Sequence, residues 1–398
     1  MKGIKNMKIL FASDMSFNYF EGVPADDKIK EMMGEVAACF EKADFSVLNL
    51  ETVFGERKDE DAIIKDGPNL ICDKGFVKFL AALKPTAAGL ANNHTGDYGD
   101  EPIYNTFKIL EDNNIKHFGA GKNIDEAYES VVFEKDGEKV AIIGVCENEF
   151  GIATKTKAGA AGLKISLVTK AINKAKQLGQ KPIIYFHGGT EYLPFPSPRK
   201  KELYHLFIDL GAEAVIAMHT HCPQGYEMYN GKPICYSMGN FYFPSQQLAR
   251  FKSWFFGYMC VLTLENGNFG FEYIPYTFDF EGIRLLKGEE KEHFDKYMQF
   301  ISAPIPDDDK IQEYFDIWTV RSKGCLAYLA NLLRIKSTDA IADNNQAAVR
   351  QAKNCMCCEA HNELITNMMN MAYFNRVEVS KAKENFIYTL QDMRIPEL

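Results

Sequence analysis

No stretch of this 398-residue chain is apolar for long enough to cross a membrane or to form the core of a secretion signal. The basic opening, Met1 to Lys8, runs into only four apolar residues, Ile9 to Ala12. The reading is a cytoplasmic protein with no direct membrane insertion. Positive charge is not in excess either: 45 Lys and Arg stand against 54 Asp and Glu, a formal charge of −9. That balance lacks the electrostatic footprint of a nucleic-acid binder, so nucleic acid is not an expected partner. Internal repeats and low-complexity segments are missing as well. Cysteine is too sparse for a disulfide scaffold. The ten residues sit mostly beside apolar neighbours, as buried thiols in a reducing compartment do. Cys355-Met356-Cys357-Cys358 is the exception, but its spacing matches no standard zinc site and it reads as part of a helix. What remains is ordinary globular composition, 46% hydrophobic and 25% charged, which excludes a disordered or collagenous chain.

The pattern along the chain is α/β. Ile9 to Ala12 is a short apolar run that delivers Ser13-Asp14. The same syntax recurs where Phe45 to Leu50 ends at Glu51 and Thr86 to Ala91 ends at Asn92-Asn93-His94. Pro182 to Phe186 ends at His187, and Ala214 to Met218 ends at His219-Thr220-His221. Between these strands, Lys74 to Lys84, Glu101 to Asn113, Ser166 to Leu178 and Arg199 to Leu210 carry apolar residues near helical spacing. From Glu227 the texture changes to short strands around Asn230-Gly231 and Asn266-Gly267-Asn268, a meander expected to complete a second sheet. From about residue 286 to 398 the chain reads as helices. They are broken near Ala303 to Asp309 and again between Ser337 and Asn345, giving a body over 1–285 and a helical extension over 286–398.

In open α/β sheets the site lies beyond the carboxyl ends of the strands, so five strands ending in Asp, Glu, Asn or His bring those side chains together. Asp14, Glu51, Asn93, His187, His219 and His221 form a set of oxygen and nitrogen donors without a thiolate. Such a set suits Mn, Fe, Zn or Mg without distinguishing among them. Each has a plainer reading beside it: Asp14 and Glu51 as caps, Asn92-Asn93-His94 as a left-handed turn, Glu191 as a solvated loop acid. His219 and His221 alternate along what reads as an extended segment and are expected to point the same way. His187 precedes Gly188-Gly189, where the backbone can approach a ligand closely. His361-Asn362-Glu363, just after Cys358, reads as an ordinary helix face or as part of a lid over the site.

The ordered set is specific. Ser13-Asp14, Asn49-Leu50-Glu51, Ala91-Asn92-Asn93-His94 with Asp97-Tyr98-Gly99, His187-Gly188-Gly189-Thr190-Glu191-Tyr192, His219-Thr220-His221 and Tyr236-Ser237-Met238-Gly239-Asn240-Phe241 follow one another. In that order they resemble the capsule-synthesis CapA family, also called the poly-γ-glutamate synthesis family, of the calcineurin-like metallophosphoesterase superfamily. The resemblance spans about residues 7–280. It implies a four-layer α/β/β/α sandwich, followed here by the helical extension, with two divalent ions at one edge. By this analogy Asp14 holds one ion and Glu51 bridges both. Asn93 and His187 serve the second, and His219 and His221 are divided between them. His94 then contacts the scissile phosphate or protonates its leaving group, so His94 and Asn93 are the candidate catalytic residues. Asn92, Glu191, Gly239 and Asn240 are the candidate contacts to an anionic small-molecule or polymer substrate. Two positions depart from the pattern: Ser16 stands where the superfamily has a His two residues after the first Asp, and Met218 stands at the first His of the family's Gly-His-x-Pro-His.

The expected reaction is phosphoester hydrolysis by metal-activated water. Two alternatives stay open: hydrolysis or transfer of γ-glutamyl amides at the same ions, and a non-catalytic component that binds the polymer.

Overall fold

In the computed structural model, residues 6–17, 19–65, 67–245, 247–322, 346–381 and 383–396 are described. The apolar run at the start of the body extends into a ten-residue strand, Asn6–Met15, at the centre of an eight-stranded sheet. Phe45–Leu50, Ala87–Gly89 and Lys116–Phe118 follow it in parallel on one side. Phe256–Glu265, Asn268–Phe278 and Ile283–Leu285 continue antiparallel on the other. The short strand Asn240–Tyr242 pairs in parallel with the far end of Asn6–Met15. In the second sheet Lys181–His187 lies between Glu138–Cys146 and Ala214–Met218, all parallel, with Lys232–Cys235 and Tyr226–Tyr229 beyond on one side and Val131–Lys135 on the other.

The central strands are buried along nearly their whole length because each sheet is covered on both faces. Face to face, the sheets meet through Phe11 and Tyr185, with ring centroids 6.0 Å apart, and through the stacked rings of Phe45 and Phe133 at 4.7 Å. The Tyr185 hydroxyl donates to the Ala12 carbonyl across the gap at 2.6 Å, so the polar end of a buried ring is satisfied between the sheets. On the outside of the first sheet lie the helices Asp26–Lys42 and Val77–Leu83, through the pairs Phe40–Phe241 and Phe79–Tyr242. Ile165–Gln177 and Pro198–Asp209 cover the second, the latter through Phe207 and Tyr204 on Phe186. The result is the four-layer α/β/β/α arrangement. Pro198–Asp209 starts where its sequence says it should: Ser197 accepts from the Lys200 N–H, and Pro198 opens the first turn.

The late strands differ from the expectation. Tyr226–Tyr229 and Lys232–Cys235 extend the second sheet, but Phe256–Glu265 and Asn268–Phe278 join the first, so the meander is shared rather than added to one sheet. The helices of the extension, Gly288–Ser302, Asp308–Arg321, Gln346–Cys357, Glu359–Tyr373, Val377–Lys381 and Glu384–Gln391, pack back on the sandwich. Leu364, Ile365, Ile387 and Leu390 belong to the same continuous core as the strands. The break expected between Ser337 and Asn345 lies outside the described residues. Among the described residues, no helix is long and apolar enough to cross a membrane.

Candidate metal centre

Asp14 is fully buried near the end of its strand, with Asn49 and Asn240 as its partners in register. The ladder shifts register on either side of Asp14, an irregularity of the kind that re-aims a side chain. Its Oδ1 accepts from Asn49 Nδ2 at 2.8 Å, and its Oδ2 accepts from the His219 N–H at 2.9 Å. The second bond reaches the loop after a strand of the other sheet, so one carboxylate ties the two sheet ends together.

Glu51 follows its strand by one residue and is buried, and both carboxylate oxygens lack a hydrogen-bond partner among the described residues. The nearest positive candidates are imidazoles: His94 Nε2 at 3.7 Å and His187 Nε2 at 3.8 Å. Burial first, and the neighbouring Asp14 carboxylate second, hold the Glu51 carboxyl well above its usual range. A buried carboxylate without donors is costly unless a proton or a cation answers it.

His187 is the last residue of its strand. Its Nε2 lies 3.0 Å from Asn93 Oδ1 and 3.0 Å from His219 Nδ1, and its Nδ1 lies 3.4 Å from Asp14 Oδ1. Burial and the adjacent His187 and His221 push His219 well below the ordinary imidazole range, which keeps it in the neutral form that a metal ligand requires. His219 and His221 converge, but not along an extended segment. Their φ values of 93° and 53° put both in the left-handed region, and this turn brings their ring centroids to 5.8 Å.

In each of three groups, donor atoms lie within 4.8 Å of one another: Glu51, His187 and His219; Asp14, Glu51 and His221; and Glu191, His219 and His221. Glu51 is common to the first two. These residues fit divalent metal on two counts: the orphaned oxygens of Glu51, and a donor set of carboxylates and imidazoles that hard and borderline cations share. Asn93 reaches the same cluster through its contact with His187. Exposed Glu191, a candidate substrate contact, has a carboxylate oxygen within 4.8 Å of the His219 and His221 donor atoms.

The other candidate contacts to substrate are placed behind the site. Asn92 is fully buried and spends its carboxamide on the turn, donating to the Leu50 carbonyl at 2.9 Å and accepting from the His94 N–H at 3.1 Å. Asn240 Oδ1 lies 2.8 Å from His221 Nδ1, and its Nδ2 donates to the Trp254 carbonyl at 3.2 Å, so it orients a histidine. Gly239 has φ 76°, and a Cβ there would lie 2.6 Å from the Phe256 carbonyl oxygen, so backbone packing accounts for it.

His94 points Nε2 at Glu51 and places Nδ1 2.7 Å from Asp97 Oδ2. Asp97 also accepts from the Leu70 N–H at 2.7 Å and pairs with Lys65 Nζ at 2.5 Å, an ion pair hidden from solvent. Asp97 thus orients the His94 ring, while the helix Asp100–Asp112 starts after Gly99 without a side-chain cap. Lys65 was not legible, because a lysine in a polar loop gives no sign of folding inward. Glu147 and Glu149 were missed with their strand, Glu138–Cys146, although Asp136-Gly137 between two β-rich runs is a hairpin signal.

A cavity of about 430 Å³ opens over His219 and Glu191. Arg250, Phe251, Trp318, Arg321, His361 and Tyr388 wall it, four of them from the helical extension. The Arg321 guanidinium stacks 3.3 Å from the centre of the Tyr388 ring. The extension thus contributes to the mouth of the site.

Comparison with known proteins places the sequence in a family. A family profile described as "Bacterial capsule synthesis protein PGA_cap" matches residues 9–245. The capsule biosynthesis protein CapA of Bacillus anthracis is 33% identical over 164 residues, 40% of this chain and 40% of that protein. The PGA biosynthesis protein CapA of Bacillus subtilis is 27% identical over 232 residues, 58% of this chain and 61% of that one. The chain thus spans about two fifths to three fifths of the length of these relatives. A hypothetical protein of Thermus thermophilus, known as a crystal structure, superposes on 71% of this chain and all of its own with a TM-score of 0.43 and 13% identity. The family match covers more than half of the chain and contains every residue of the candidate centre, and the chain belongs to the bacterial capsule synthesis family PGA_cap.

Proposed function

We propose that this chain is a metal-dependent phosphoester hydrolase acting on an anionic substrate of capsule synthesis. The observation that carries the reading is Glu51, a buried carboxylate with no donor among the described residues, shared between two groups of side chains that could hold a metal ion. Asp14, Asn93, His187, His219 and His221 would hold the ions with it. When bound, two divalent ions supply Lewis acidity at a phosphoryl oxygen and acidify water.

The chain's own groups do the rest. Burial and Lys65 push the His94 imidazole down to about 4, so the ring is neutral at neutral pH. With Nδ1–H donated to Asp97, Nε2 keeps its lone pair facing the site, where it takes a proton or, once charged beside an anionic substrate, returns it to the leaving oxygen. Asp97 fixes the tautomer and orientation. Arg250 and Arg321 on the cavity wall attract the negative charge of the substrate.

The test is metal content per chain for the wild type and for His187→Ala, followed by turnover of aryl phosphates and of γ-glutamyl amides. Two ions per chain, fewer in the variant, and hydrolysis of the phosphoester alone are expected. Asp97→Asn should retain its metal and lose roughly a hundredfold in kcat. Turnover of the amide instead would keep the centre and replace the reaction. No uptake of Mn²⁺ or Zn²⁺ would leave a binding protein and end the hydrolase reading.

A further inference from the structure

We propose that Glu149, Cys358 and His361 form a further divalent-metal site, which clasps the helical extension to the sandwich. The three come from different parts of the fold: Glu149 from the loop after Glu138–Cys146, Cys358 from the residue that precedes the helix Glu359–Tyr373, and His361 from the first turn of that helix. One donor atom of each lies within 4.8 Å of the other two, and Cys358 Sγ is 3.5 Å from Glu149 Oε1. Donors around a tetrahedral ion with bonds of about 2.0–2.3 Å are separated by roughly 3.3–3.8 Å, so the sulfur and the carboxylate already stand at a ligand-to-ligand distance.

A further observation points to an ion rather than to a thiol hydrogen bond alone. The Nδ1 of His361 is buried and has no hydrogen-bond partner among the described residues, although a buried imidazole nitrogen is normally paired. The surroundings are also pre-positioned. The Asn148 N–H donates to Glu359 at 2.8 Å and its carboxamide to the same carboxylate at 2.5 Å, which docks the start of the helix on the loop that carries Glu149. Beneath that loop, Gly96 and Gly151 meet so closely that a Cβ on Gly96 would lie 2.4 Å from the Gly151 Cα. The three-residue spacing of Cys358 and His361 puts both on one side of the helix start, towards Glu149.

The donor chemistry separates this site from the centre around Glu51. A thiolate, an imidazole and one carboxylate select a softer ion such as zinc, or cobalt as its probe, and binding releases the Cys358 proton to solvent. The two sites are neighbours, since Asn93 Nδ2 lies 3.4 Å from Glu149 Oε2, but the clasp does not rest on the hydrolase reading. It bridges residues 209 apart in sequence, so an ion there closes a long loop and stabilises the extension.

The experiment is titration of the metal-stripped full chain with Co²⁺, followed by near-ultraviolet absorption. Thiolate-to-cobalt charge transfer reports the clasp alone, because the Glu51 centre contains no cysteine. The band is expected in the wild type and in Cys357→Ser, which alters the exposed neighbour, and is expected to vanish in Cys358→Ser together with one equivalent of Co²⁺. Glu149→Gln, folded as judged by circular dichroism, should need at least tenfold more Co²⁺ to develop the band. A wild type without the band at saturating Co²⁺, or a band that survives Cys358→Ser, overturns the proposal.

Discussion

Glu51 carries a potential charge at a place where no group among the described residues donates to it. Stability alone would favour a neutral residue there, since a buried group without a partner costs about 1–3 kcal/mol and more when it is charged. Glu51→Gln should therefore raise the Tm of chelator-treated protein at neutral pH and at the same time abolish the Tm increase produced by Mn²⁺. A variant that lowers the Tm of the stripped protein would show that the carboxylate has a structural partner. Lys200 is a second buried charge. Its Nζ donates to Gln224 Oε1 at 3.1 Å, and burial pushes its ammonium down to about 7, only partly opposed by Glu147. Between pH 7 and the ordinary lysine value of 10.5, the unfolded chain holds a proton that the folded chain has released, so folding becomes more favourable as pH rises through that window and the full penalty applies below it. Lys200→Met should thus gain most over the wild type near pH 7, and the gain should shrink towards pH 10. A gap independent of pH, measured by urea unfolding, would mean that the folded lysine keeps its ordinary affinity for the proton.

At the scale of elements, the strands were legible because both faces of each sheet are covered, which turns a strand into a continuous apolar run that stops at its functional residue. Phe45–Leu50 and Ala214–Met218 match the sequence reading at both ends. The left-handed turn at His219 and His221 was not legible, because no glycine or asparagine marks it and tertiary contacts hold it, the Asp14 carboxylate on the His219 N–H and Asn240 on the His221 ring. The partner of a helix is equally invisible locally. Glu363, in the helix Glu359–Tyr373, accepts from the Ser197 hydroxyl at 2.6 Å, the Arg199 N–H at 2.9 Å and the Arg199 Nε–H at 3.2 Å, so it buttresses the start of Pro198–Asp209. Glu363→Ala should cost about 1–3 kcal/mol by leaving those donors unanswered, and should expose the extension to limited proteolysis. A loss below half a kcal/mol, with unchanged cleavage, would mean that water replaces the carboxylate freely.

For the whole molecule, the extension shares a hydrophobic core with the sandwich, and the chain's two tryptophans report on the two parts separately. Trp254 is packed beside His221, with centroids 4.6 Å apart, and Trp318 lies in the helix Asp308–Arg321. Single-tryptophan variants, Trp318→Phe and Trp254→Phe, should show coincident denaturation midpoints, because separating the helices would expose core residues such as Leu364 and Leu390. An earlier transition at Trp318 would identify the extension as an independent folding unit.

The sequence by itself determined the α/β class, the positions of the strands that end at Asp14, Glu51, His187 and His219, the change to helices near residue 286 and which polar side chains those strand ends deliver. These follow from local periodicity and from the side chains that each strand end delivers. Only the tertiary structure decided which sheet received the late strands, that Asn92 and Asn240 brace neighbours rather than face the cavity, and that Lys65, Glu149 and Arg321 approach the centre. The reason is physical: periodicity records which face of an element is buried, whereas the partner across that face is set by packing between residues hundreds of positions apart.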